Sequence, residues 1–179
     1  MFKQSLLLHA CCATCSGFLA QELARDFDVT IYFDNPNIFP KEEFFKRAGE
    51  AEKFFTKIGF PFIQSEYNHN DWLTLVQGLE GAPERGERCL VCYHFRLSKT
   101  AQYAKDHGFD YFATTLSISP HKDATAINNI GEALASQLGV KFLIGDWKRN
   151  DGFKKAMQCS RENNFYRQNY CGCEFSKRP

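Results

Sequence analysis

Five short runs of strand length, at 5–9, 29–33, 62–65, 110–114 and 141–144, alternate with segments of helical period, and this order constrains the fold most. A helix is expected over about 17–26. Pro40 can open the next in its first turn, with Phe44, Ala48, Ala51, Phe55 and Ile58 on one face and Gly59 suited to its C-cap. Asp71 is read as the cap of a short helix through Val76, and 78–88 as an exposed loop. Further helices are expected from Cys89–Cys92 to His107 and from Asp123 to Leu138, the latter closed by Gly139. Such alternation predicts an α/β domain with a mostly parallel sheet and flanking helices. Ligands of such sheets bind beyond the carboxyl ends of the strands, where Cys11-Cys12-Ala13-Thr14-Cys15 follows the first run.

The 179 residues suit one domain, and 44% hydrophobic content with eighteen Phe supplies a core without covalent staples. No signal peptide is visible: the apolar run at 6–8 is too short for one. Leu8-His9-Ala10-Cys11 resembles a lipoprotein cleavage site only faintly, and nothing approaches a membrane span. The expectation is a cytoplasmic, monomeric protein. Eight cysteines in a reducing compartment then favour metal binding or redox chemistry over structural disulfides.

Those cysteines are grouped. Cys11, Cys12 and Cys15 form one cluster, Cys89 and Cys92 a C-x-x-C pair, and Cys171 and Cys173 a C-x-C pair across Gly172; Cys159 stands apart. A C-x-x-C pair at the start of a helix puts both sulfurs on one face, where the helix terminus favours thiolate. Cys11, Cys12, Cys89 and Cys92 could complete the four thiolates of a cubane cluster if the two loops meet. The residues by themselves leave zinc and iron–sulfur open, since soft thiolates suit both, although the spacing is unlike a zinc finger. The C-x-C pair could also form a strained, reducible disulfide.

Other signals are polar. From Trp147 onward eight Lys/Arg face three Asp/Glu, a basic segment (147–179) expected to pack as a helical extension on a mildly acidic body. It reads either as a solvated helix face or as a phosphate-contacting edge. The loop after the fourth run, Thr114 to Asp123, is placed for chemistry: His121 could be a general acid or a helix-cap neighbour, Lys122 a phosphate ligand or a solvated cation, and Asp123 an N-cap. No phosphate-binding loop of the Walker or dinucleotide type is present, nor the Ser-Gly-Gly-x-Asp-Ser loop of ATP pyrophosphatases.

Taken together, these motifs resemble one family. Leu8-His9-Ala10-Cys11-Cys12-Ala13, Arg88-Cys89-Leu90-Val91-Cys92-Tyr93-His94-Phe95-Arg96-Leu97, Thr114-Thr115-Leu116 with Ser119-Pro120-His121-Lys122, Asp146-Trp147-Lys148, and Tyr166-Arg167-Gln168-Asn169-Tyr170-Cys171-Gly172-Cys173 are similar, in order, to the motifs of the cobalamin-independent epoxyqueuosine reductases (QueH family). The resemblance implies a Rossmann-like fold of the PP-loop and nucleotide α-hydrolase type. It implies reduction of epoxyqueuosine in tRNA to queuosine. It also implies a [4Fe-4S] cluster on Cys11, Cys12, Cys89 and Cys92. Cys171 and Cys173 would be a redox-active pair or ligands of a second mononuclear iron, to which Cys15 could also contribute.

On this reading His121 is the expected proton donor. Lys148, Arg149, Lys154, Lys155 and Arg167 would hold the tRNA backbone, and Tyr166 or Tyr170 would stack on an anticodon base. An electron donor is also required, and the sequence does not name it. The rival readings are a zinc-stabilised RNA-binding module and a cluster-dependent sulfur-transfer enzyme acting on tRNA.

Overall fold

The computed structural model describes residues 3–177. Five parallel strands form one sheet in the order β3-β2-β1-β4-β5. They are β1 (Gln4–His9), β2 (Phe27–Phe33), β3 (Phe62–Gln64), β4 (Tyr111–Thr114) and β5 (Lys141–Phe142). The fold is the expected Rossmann-like α/β class, and every pairing is parallel.

The central strand explains the layers. Successive side chains of a strand point to opposite faces. Leu6 and Leu8 therefore join Ala13, Ala20, Ala51, Phe54 and Phe55 on one face, while Leu7 joins Leu97, Ala101, Ala104, Ile127 and Leu134 on the other. All three leucines are fully buried, each contributing about 2 kcal/mol of hydrophobic stabilisation. Helices α1 (Ala13–Leu23) and α2 (Lys41–Lys57) thus cover one face. After the short α3 (His69–Leu75), α4 (Glu87–Asp106) and α5 (Ala124–Leu138) cover the other.

The sixth helix, α6 (Gly152–Glu162), lies in the basic segment and packs on α1. Thr14 Oγ1 meets Ser160 Oγ at 3.2 Å, and a Cβ on Gly17 would stand 3.1 Å from Phe165 and 3.4 Å from Cys159 Sγ. The turn before α6 needs glycine, because a Cβ on Gly152 would lie 1.8 Å from the Trp147 carbonyl oxygen. No helix among the described residues is long and apolar enough to cross a membrane.

Several boundaries differ from the expected ones. Helix α1 begins at Ala13, not near residue 17, with Cys12 as an extended N-cap that makes no side-chain cap bond. Its start lacks the Ser, Thr, Asp or Asn that marks most helix beginnings. Pro40 is the cap residue of α2 rather than its first turn, and Asn68, not Asp71, caps α3. The loop expected over 78–88 ends at Gly86, so Arg88 lies within α4 and is buried. Asp123 caps α5 as expected, accepting from the Ala126 amide at 3.1 Å, and Gly139 ends it in the left-handed conformation.

Candidate metal centre

Strand β1 has β2 on one side and β4 on the other, so the chain's loops diverge from its carboxyl end and leave a crevice. His9, the last residue of β1, braces that edge. It is fully buried, with Nδ1 2.9 Å from Thr114 Oγ1 and Nε2 3.1 Å from the Asp34 carbonyl oxygen. Asn35 anchors the loop that follows: its Nδ2 donates to the Ala10 carbonyl at 2.9 Å, and its Oδ1 accepts from Arg96.

The sulfurs of Cys11, Cys12 and Cys15 lie within 4.8 Å of one another, with Cys11 and Cys12 Sγ 3.8 Å apart. Cys11 and Cys12 end the loop, and Cys15 is brought back over them by the first turn of α1. Hydrogen bonds from Cys12 and Cys15 hold the Cys11 thiol well below its usual range, while the same sharing pushes Cys12 up to about 12 and Cys15 upward. The three sulfurs are close enough together to hold a metal ion.

Cys89 and Cys92 occupy the first turns of α4, as the sequence predicts. Their thiols are shifted upward chiefly by burial, which outweighs the helix terminus expected to favour thiolate. Cys171 and Cys173 lie on the loop between α6 and a short 3₁₀ turn (Glu174–Ser176). That loop is pinned to the β2–α2 connection: the Phe39 amide donates to the Gly172 carbonyl at 2.9 Å, and Arg47 Nη1 donates to that of Cys171 at 3.2 Å. Gly172 has φ 113°, and a Cβ there would stand 2.8 Å from Ile38. All eight cysteines are free thiols.

Two cavities gather these groups. The larger, about 400 Å³, is walled by Cys11, Cys15 and Cys171 with Lys122, His121 and Arg167. The smaller, about 30 Å³, is walled by Cys89, Cys92, Cys171 and Cys173. Cys171, Glu84, Lys122 and Ser176 line both, so the cavities adjoin. Cys159 is half-buried on α6 beside Gln21 and Asn163 and belongs to neither.

The surrounding charge tests whether such sulfurs suit a thiolate-bound metal. Arg96 is buried within electrostatic reach of both Cys11 and Cys92, and Lys122 faces Cys11, Cys171 and Cys15. Neither cation has a carboxylate at ion-pair distance among the described residues, and Arg96 Nε has no partner. The buried indole N–H of Trp72 is likewise unpartnered and lies beside Cys92. Buried Asp34 lies within electrostatic reach of Arg96, and metal-bound thiolates would add negative charge facing Arg96, Lys122 and the Trp72 N–H. The donor set therefore fits a metal–sulfur group.

The remaining expected residues lie around this rim. His121 is exposed, with its ring free of hydrogen bonds among the described residues and its carbonyl accepting from Arg85 Nε at 3.1 Å. Lys148 and Arg149 both pair with Asp146, at 3.1 and 2.9 Å. Lys154 and Lys155 are exposed on α6, and Arg167 is exposed at the larger cavity. Sequence reasoning missed the inner cations: Arg88, Cys92 and Arg96 recur every fourth residue and so share one face of α4, a signal that was present.

The profile of the family described as Epoxyqueuosine reductase QueH matches residues 6–179. A protein of Streptococcus pyogenes serotype M1 named Epoxyqueuosine reductase QueH is 40% identical, the alignment covering 97% of this chain and 71% of that one. Its namesake in Histophilus somni is 41% identical over 97% of this chain and 72% of the other, and that of Thermotoga maritima 34% over 96% and 90%. The chain belongs to the epoxyqueuosine reductase QueH family.

Proposed function

We propose that this chain is an iron–sulfur oxidoreductase that deoxygenates epoxyqueuosine in tRNA, giving queuosine, with a [4Fe-4S] cluster on Cys11, Cys12, Cys89 and Cys92. Family membership supports the reaction, and one observation supports the site: Cys171 walls both cavities, bridging the sulfurs of the β1 loop and those of α4. Removing the epoxide oxygen as water leaves a carbon–carbon double bond and consumes two electrons and two protons. When bound, the cluster would supply low-potential electrons one at a time.

The second electron calls for a second centre. Cys171 and Cys173, with Cys15 across the larger cavity, could hold a mononuclear iron; alternatively the Cys171/Cys173 dithiol could itself be oxidised to a disulfide, releasing two electrons and two protons. His121 stands at the cavity rim as proton donor. Lys154, Lys155 and Arg167 are exposed to receive the tRNA backbone, together with Lys148 and Arg149, which Asp146 already holds. Residues 1–179 act as one α/β domain with the 147–179 segment docked on it, as a cytoplasmic monomer served by a separate electron donor.

The test is anaerobic incubation of iron-loaded protein with epoxyqueuosine-containing tRNA and a chemical reductant, followed by nucleoside mass analysis. The nucleoside should lose one oxygen. An unchanged nucleoside from protein carrying iron and sulfide would reject the assignment, and a colourless zinc protein would reject the cluster.

A further inference from the structure

The larger cavity has a charge that its proposed task does not by itself explain. Arg47, Lys122 and Arg167 line it, as suits a site that receives a polyanion, yet so does one carboxylate, Glu84. Glu84 is also the only acid among the described residues that wall the smaller cavity. It forms no ion pair among the described residues and lies within electrostatic reach of the Cys89 thiol. A carboxylate there opposes an RNA phosphate and a thiolate alike. Glu84 is exposed at the rim and unpaired among the described residues, free to meet a cation that a ligand brings.

The loop that carries Glu84 is held from both sides. The next residue, Arg85, has φ 69°, a conformation that side chains rarely adopt. Its guanidinium donates to the carbonyls of His121 and Pro120, and its amide lies 3.3 Å from Cys89 Sγ. Buried Arg88 donates to the carbonyls of Leu79, Glu80 and Ala82, at 3.2, 2.6 and 2.6 Å. Glu84 is thus set over the cavity rather than left on a free loop.

We infer that Glu84 recognises the substrate's own positive charge, the secondary ammonium that links the deazaguanine base of epoxyqueuosine to its epoxycyclopentane ring. The inference rests on the proposed reductase reading. The amine is bonded to the ring that carries the epoxide, so a carboxylate paired with it must stand on the wall that the cysteines share, as Glu84 does. Guanine in the same tRNA position has no such cation. Glu84 therefore selects modified from unmodified tRNA, against the general pull of the surrounding cations on any RNA.

Binding separates these roles. Iron-loaded wild type, Glu84→Gln and Glu84→Asp are compared anaerobically, by filter binding, on tRNA with epoxyqueuosine and on the same tRNA with guanine at the wobble position. Wild type should prefer the modified tRNA by about tenfold. Glu84→Gln should bring the ratio near one by weakening the modified tRNA alone, and Glu84→Asp should keep part of it. A ratio retained by Glu84→Gln, or both tRNAs tightened equally, overturns the inference. Should Glu84→Gln fail to fold, tRNA with its bridge amine acetylated should bind wild type as weakly as guanine tRNA; binding as tight as the free amine overturns it. Turnover is scored in parallel: reduction without preference sinks this inference alone, whereas absence of reduction sinks the reductase reading.

Discussion

The side-chain amide of Gln168 meets the sulfur of Cys12, with Nε2 3.0 Å from Sγ. It joins the segment that carries Cys171 to the first cysteine loop. Hydrogen bonds to ligand sulfurs stabilise the more negative, reduced state of a cluster and raise its potential. Gln168→Leu keeps the volume and removes the donor. A bond worth about 1 kcal/mol more in the reduced state corresponds to roughly 40 mV for one electron. The variant's potential should fall by about that much in an optical redox titration; an unmoved midpoint would show that the contact does not act on the cluster.

Cysteine variants should divide into three classes. Cys89→Ser should remove the cluster, taking iron from roughly four per chain to near zero along with the brown colour. Cys171→Ser should retain at least most iron and sulfide while losing turnover by about 10–100-fold, the scale seen when a metal site's supporting groups are lost. Cys159→Ser, outside both cavities, should change neither. Full activity in the Cys171 variant would remove the second centre from the mechanism.

Lys154 and Lys155 give a test by salt. If both contact phosphate, Lys154→Ala with Lys155→Ala should weaken tRNA binding and flatten the plot of log affinity against log salt by about 1.4, from ~0.7 per single-strand contact. An unchanged slope would mean that they only face solvent, or that Lys155 merely covers the Phe18 ring 5.8 Å away.

His9 should stay neutral far below the usual histidine range. Burial, followed by the nearby Arg96 charge, lowers its pKa to about 3. The neutral ring then donates from Nε2 to the Asp34 carbonyl and accepts at Nδ1 from the Thr114 hydroxyl. Below about pH 6.5 the unfolded chain takes up a proton that the folded chain refuses. Stability should fall by up to about 1.4 kcal/mol per pH unit until about pH 3. Ring nitrogen NMR signals should report neutral His9 from pH 8 to 5; a midpoint above 6 would contradict the buried hydrogen-bond pair.

The layers were legible because Leu6, Leu7 and Leu8 leave no polar face, so helices had to cover both sides of β1. The cysteine groups were legible from spacing and from the rule that ligands gather beyond the strand ends. What was missed was charge in unexpected places. Arg47, Arg88 and Arg96 are 1%, 3% and 3% exposed: distant groups receive Arg47 and Arg96, and the carbonyls of the preceding loop receive Arg88. Glu84 is exposed on its loop, as the sequence suggests, but the Arg85 and Arg88 hydrogen bonds that fix that loop were not read from it. The early start of α1 was hidden by a cap residue, Cys12, whose side chain is engaged elsewhere.

The strap from Tyr166 to Ser176 has a consequence for assembly. It carries Gln168, Cys171 and Cys173, and is held at Phe39 by the Gly172 carbonyl and by the Tyr170 hydroxyl, 2.6 Å from the Phe39 carbonyl. In chain order it follows every strand and helix of the sheet. The cysteine-lined crevice can therefore be complete only once the last segment of the domain has been synthesised and docked.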